Sequence, residues 1–154
     1  PVELRIGANQ VTITLPAAEL VTKVVDGKFP DYHRVIPASQ PRHLKANRLS
    51  VIQALQRAAI LSNEKFRGVR LVMSENTLGI VCNNNEQEEA ADEIEVSYDG
   101  DPLDVGFNVT YLLDGLGALN SEEITLSLGD ANSSMLLTSE GESGFKYVVM
   151  PMRI

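Results

Sequence analysis

Apolar and polar residues alternate over residues 2–6 and again over 11–15, the period-two pattern of half-buried strands. Gly7-Ala8-Asn9-Gln10 between them reads as a hairpin turn, and a third strand is expected within residues 18–25. A turn-rich loop over 26–32 follows. Two prolines in Pro37-Ala38-Ser39-Gln40-Pro41 mark an expected domain boundary, with one piece over 1–36 and a second domain over 37–154.

From there the period changes. Asn47 can cap a helix, and Leu49, Val51, Ile52, Leu55, Ala58 and Ala59 recur at helical spacing to about Leu61. Strand patterns return at Val69-Leu71-Met73 and at Leu78-Ile80-Cys82, with Ser74-Glu75-Asn76 turning between them. Further strands are expected at Ile94-Val96-Tyr98 and Leu103-Val105-Phe107. A second helix should run from Asn108 to about Leu119, although Gly115 and Gly117 each weaken it by about 1 kcal/mol relative to Ala. Strands over 124–128, 135–138 and 145–150 complete the chain.

The order is strand, helix, three strands, stated twice. The helices share a signature: Asn47-x3-Val51-Ile52-x-Ala54-Leu55 aligns with Asn108-x3-Leu112-Leu113-x-Gly115-Leu116. Such a repeat predicts an α+β fold in which two similar halves pack their helices side by side on one face of an antiparallel sheet.

Candidate chemistry changes this picture little. His33 and His43 have no metal-ligand spacing and read as surface residues. Cys82 shares its strand parity with Leu78 and Ile80 and reads as a small core residue. No nucleophile motif, phosphate loop or dinucleotide fingerprint is present. The acidic run over 86–93 lacks the alternating ligands and glycine turn of a calcium loop. It reads either as a solvated, self-repelling connection or as a rim that meets a basic partner. No catalytic residue, metal site or cofactor is therefore expected. Two rival readings remain: an acidic metal-dependent enzyme built on that run, and a stand-alone peptide-binding module.

Composition adds limits. Hydrophobic residues make up 44% of the 154 and charged residues 22%, which is ordinary for a globular chain. Without Trp, and with 5% aromatics, the core must rest on Val, Ile and Leu. No apolar run approaches the roughly 20 residues of a membrane span, and one cysteine fits a reducing cytoplasm. Pro1 opens the chain without Met, which reads as a piece of a longer polypeptide. The net charge of -8 alone opposes contact with nucleic acid.

The C-terminus departs from the usual pattern. Tyr147-Val148-Val149-Met150-Pro151-Met152-Arg153-Ile154 stays apolar where polar, frayed residues are common. Pro151 cannot donate to a sheet ladder, and the flanking Met150 and Met152 suit either core cover or a surface that accepts several apolar ligands.

Together with Phe29-Pro30-Asp31-Tyr32-His33-Arg34-Val35, the run from Arg57 to Leu71 and Gly106-Phe107-Asn108-Val109, this tail resembles the bacterial beta sliding clamps. The resemblance covers the whole chain but well under half of a clamp subunit: the end of the middle domain and all of the third. It implies the DNA-clamp fold and a homodimeric ring that encircles duplex DNA. Polymerase subunits, the clamp loader and repair proteins would dock on it through short linear peptides.

Carried over by position, the peptide pocket would use Pro30, Arg34 and Val35, then Phe66, Asn108, Tyr111 and Ser134, then Val148, Val149, Met150, Pro151, Met152 and Arg153. Asn132 stands where the family has an apolar wall, and part of the pocket belongs to a middle-domain segment outside this chain. The subunit interface would use Ile60 and Leu61 with Glu86, Glu88 and Glu89 as its charged flank. Arg48 and Arg57 would face the DNA, and without a first domain the piece could not close a ring.

Overall fold

The computed structural model describes residues 1–61, 67–83 and 88–153. The chain divides into two units, Pro1–Tyr32 and His33–Ile154. The division falls at the start of the short 3₁₀ turn Tyr32–Arg34. The proline segment that follows is tied to the second unit, where Gln40 Nε2 donates to the Ser134 carbonyl at 2.8 Å.

The first unit is an antiparallel sheet of β1 (Glu3–Ile6), β2 (Gln10–Leu15) and β3 (Ala18–Lys23), in that order. The Gly7 amide closes the first hairpin on the Gln10 carbonyl at 2.8 Å. No residue of this unit is buried. Val2, Leu4, Ile6, Leu20 and Val21 all remain exposed, so the sheet has no core of its own.

The second unit repeats one supersecondary order. β4 (Arg42–Asn47), α1 (Arg48–Ala59), β5 (Gly68–Ser74), β6 (Thr77–Asn83) and β7 (Glu89–Glu95) form the first half. β8 (Leu103–Asn108), α2 (Val109–Gly117), β9 (Glu123–Leu128), β10 (Met135–Thr138) and β11 (Tyr147–Val149) form the second. The doubled α+β pattern stands, but its single expected sheet is two antiparallel sheets, ordered β7-β6-β5-β8 and β11-β10-β9-β4. Each half sends its first strand into the other half's sheet. Asn47 pairs with Glu123, and Asn108 with Gly68.

The helix starts show how closely the halves correspond. Asn47 Oδ1 accepts from the Ser50 amide at 3.1 Å, and Asn108 Oδ1 from the Thr110 amide at 2.9 Å. The next amide in each case leaves its own half: Arg48 donates to the Glu122 carbonyl (2.7 Å) and Val109 to the Arg67 carbonyl (2.8 Å). Arg67 reaches that position with φ at 50°, a conformation a non-glycine residue adopts at some cost.

Burial follows the expected periods with two corrections. Val51, Ala54, Leu55 and Ala58 form the buried stripe of α1, whereas Leu49, in the first turn, is 53% exposed. β7 starts at Glu89, inside the acidic run, and ends before Val96 and Tyr98. Its inward parity is Ala90, Asp92 and Ile94, so a charge in the middle of the stripe masks the strand period. Elsewhere Val69, Leu71, Met73, Leu78, Ile80 and Cys82 fill one sheet face. Val105, Phe107, Leu112, Leu116, Ile124, Leu126, Met135 and Leu137 join them in one core.

The paired caps give a direct stability test. Asn47→Ala and Asn108→Ala should each lower the unfolding free energy by about 1 kcal/mol, read from urea denaturation. A substitution with no effect would show that the cap bond does not anchor its helix.

Candidate functional site

β11 pairs with β10, with Val149 opposite Met135 and Tyr147 opposite Leu137. Pro151 has no amide hydrogen and ends that ladder. One residue later the chain is caught again, because the Met152 amide donates to the Gly106 carbonyl of β8 at 2.8 Å. β11 and β8 are edge strands of different sheets. The tail therefore straps one sheet edge to the other.

Between this strap and the start of α2 lies a cavity of about 510 Å³, within the size range of small-ligand sites. Asn108 and Tyr111 line one side, and Tyr147 through Met152 the other. Val149 is buried and anchors its wall in the core, while Met150 is 67% exposed at the lip and Tyr111 is half-exposed. The surface is thus apolar and sulfur-rich, with one carboxamide and two phenols at its α2 end.

Of the pocket residues expected from sequence, seven come together here: Asn108, Tyr111, Val148, Val149, Met150, Pro151 and Met152. Ser134 directly precedes Met135, the partner of Val149, but does not line the cavity. Arg34, Val35 and Arg153 are exposed in the second unit, outside the lining. Pro30 is exposed in the first unit. Phe66 lies outside the described residues. Asn132 sits in an exposed turn, its amide held by Asp130 Oδ1 at 2.8 Å.

Tyr147 is the lining residue that pattern reasoning leaves out. Its signal is Gly115, a glycine on the buried stripe of α2. A Cβ at that position would lie 2.6 Å from Cδ1 of Tyr147, so the absent side chain is what seats the ring on the helix. Burial pushes the Tyr147 hydroxyl above its ordinary pKa, with further contributions from Asp114 and Tyr111.

A second group of candidates gathers at the β7 edge. Ile60 is 80% exposed just beyond α1, Leu61 is half-buried, and Glu88 and Glu89 are exposed beside the free edge of the sheet. Glu86 lies outside the described residues. Arg57 bridges to Asp92 at 2.6 Å and holds the end of α1 onto this edge. The acidic run is therefore in large part a charged edge strand, not a loose connection.

Arg48 is occupied too. Its Nε donates to the Ser121 carbonyl at 2.8 Å and its Nη1 to the Leu116 carbonyl at 3.3 Å, so it caps the end of α2. The Cys82 thiol is buried, donates to the Gly68 carbonyl at 3.1 Å, and is pushed up by desolvation. Among the described residues no group of three or more His, Cys, Asp or Glu could hold a metal ion, and no helix is long and apolar enough to cross a membrane.

The family model of the DNA polymerase III beta subunit, C-terminal domain, matches residues 33–153. The beta sliding clamp of Escherichia coli K12 is 47% identical over 154 residues, covering 100% of this chain and 42% of that protein. That of Pseudomonas putida is 46% identical over 153 residues, covering 99% and 42%. Among solved structures, a sliding clamp from Pseudomonas aeruginosa bound to griselimycin superposes with a TM-score of 0.84 at 44% identity, over 99% of this chain and 42% of that one. Caulobacter crescentus pol III beta gives 0.88 at 37% identity, over 99% and 41%. The chain thus spans about two fifths of the length of these relatives.

The tyrosines give a pH test. Burial raises Tyr147, and it also raises Tyr98, whose hydroxyl donates to the Asp101 carbonyl at 2.5 Å. A raised group stabilises the fold below its unfolded pKa, near 10, and that contribution is lost as pH rises through the folded value. Thermal melts between about pH 9 and pH 12 should show falling stability, and Tyr147→Phe should flatten part of that fall. An unchanged profile would place the ring in water.

Proposed function

This chain belongs to the DNA polymerase III beta subunit family, the bacterial sliding clamps, and from that premise we propose that it supplies a clamp subunit's peptide-docking pocket. The observation that carries this reading is the tail strapped to Gly106, which builds an apolar cavity against α2. Such a slot suits leucine- and phenylalanine-type anchors of a short linear peptide, while Asn108 and the phenols fix its polar groups. Two methionines let one surface repack around several partners. Those partners are polymerase subunits, the clamp loader and repair proteins. Arg34, Val35, Ser134 and Arg153 complete the wall in this reading.

The rest of the reading follows from the family. Residues 1–36 are the end of a middle domain and 37–154 a third domain. The exposed apolar residues of β1 to β3 are then covered by the remainder of that middle domain. The subunit closes a homodimeric, non-catalytic ring around duplex DNA in the bacterial cytoplasm, with Ile60, Leu61 and the β7 edge at the subunit junction.

The helices would face the DNA. Their exposed positions include Gln53, Gln56, Arg57 and Asp114, and Arg48 and Arg57 already bind groups of this chain. Such a face acts through a diffuse field rather than fixed phosphate contacts, which suits sliding.

Two experiments test this. A fluorescein-labelled peptide of the glutamine–leucine–phenylalanine type should bind, and removal of residues 150–154 should abolish binding; equal affinity after removal would sink the pocket. In the intact subunit, Ile60→Ala with Leu61→Ala should shift dimer to monomer in sedimentation. A dimer that persists at low concentration would count against the junction.

A further inference from the structure

Gly115 and Tyr147 touch more closely than any side chain at position 115 would allow. Cδ1, Cε1 and Cγ of the ring stand 2.6, 2.8 and 3.1 Å from where a Cβ would be. These atoms are close to the Tyr147 backbone, not at the far end of a flexible chain, so an alanine could be accommodated only by moving the ring or the strand. The ring is further fixed by its neighbours. Its plane lies parallel to that of Phe145, within 5° at a centroid separation of 6.3 Å, and β11 holds its backbone opposite Leu137.

The seat matters because the same ring is a wall of the cavity, beside Tyr111 and Asn108. Tyr111, Asp114 and Gly115 occupy successive positions on one face of α2, at the spacing of one helical turn. Gly115 seats the Tyr147 ring on this face of α2, and Tyr147 and Tyr111 both line the cavity there. Asn108 engages its side-chain oxygen with the Thr110 amide, which orients the carboxamide and leaves it two N–H donors and one acceptor lone pair.

We propose that Gly115 and Tyr147 form a specificity-determining pair, in which the missing side chain holds the Tyr147 ring back on α2 and keeps open the polar end of the cavity. On the peptide-pocket reading the group received there is the peptide's glutamine side chain, and the new element is that Gly115 and Tyr147 set how well it fits. The inference rests on the peptide-pocket reading above. The distinction it draws is within the ligand: the apolar anchors sense the methionines and valines of the tail, and the polar side chain senses Gly115.

The test is a double-mutant cycle between protein and peptide, run by fluorescence polarisation on the intact protein. The probes are the labelled glutamine–leucine–phenylalanine peptide and its glutamine-to-alanine counterpart. Gly115→Ala should weaken the glutamine peptide by about tenfold, the scale on which a misfitted group of one carbon is felt, and change the alanine peptide little. In a Tyr147→Val background the same Gly115→Ala change should have no effect, because the ring it displaces is gone. Tyr147→Val alone should shrink the preference for glutamine, which keeps the test decisive if Gly115→Ala fails to fold. Equal weakening of both peptides, or an unchanged preference in both single variants, overturns the inference. Failure of the unaltered protein to bind either peptide instead overturns the pocket itself.

Discussion

Everything in the second unit depends on two strands that belong to the wrong half. β4 begins one repeat but lies beside β9, and β8 begins the other but lies beside β5. Each then turns directly into a helix whose first free amide bonds across to the partner half, at Glu122 and at Arg67. The exchange fixes where the helices start, and through Arg48 it also fixes where α2 ends. It leaves neither half with a sheet it could complete alone. The cavity inherits this rigidity, because Asn108 and Gly106 both lie on an exchanged strand.

Most of this was legible before the structure. The alternations at Val69 to Met73 and Leu78 to Cys82 name the buried face of their hairpin, and both asparagine caps stand where the helical pattern begins. What stayed hidden did so for definable reasons. β4 offers Leu44 and Ala46 as its buried residues among Arg42, His43, Lys45 and Asn47, too short an alternation to announce itself. In β7 the inward Asp92 breaks the apolar period, and its pairing with Arg57, a long-range contact, accounts for a carboxylate there. The split into two sheets depends on pairing between distant segments, which no local pattern reports.

The site was legible in a different way. Seven positions carried over from family resemblance do surround one cavity, whereas Ser134, Arg34, Val35 and Arg153 lie outside its lining. Resemblance names positions that touch a ligand somewhere in a larger protein; the cavity records what this chain assembles by itself. Tyr147 escaped both routes. The glycine that betrays it reads, in sequence, as a defect of α2 rather than as room for a neighbour.

The exchange of first strands also governs how the chain can fold. Pairing Arg42 with Leu128 closes a loop that takes in most of the second unit, and loop closure of that length is entropically costly before any contact compensates it. The β5–β6 hairpin has the opposite character, since Asn76 supplies its positive-φ corner at 54° and its strands are adjacent in the chain. Local hairpins should therefore form early and the β4–β9 ladder late. Until that ladder zips, α1 has no fixed start and the two sheets have no common core, so folding of this unit is gated by its most distant pair.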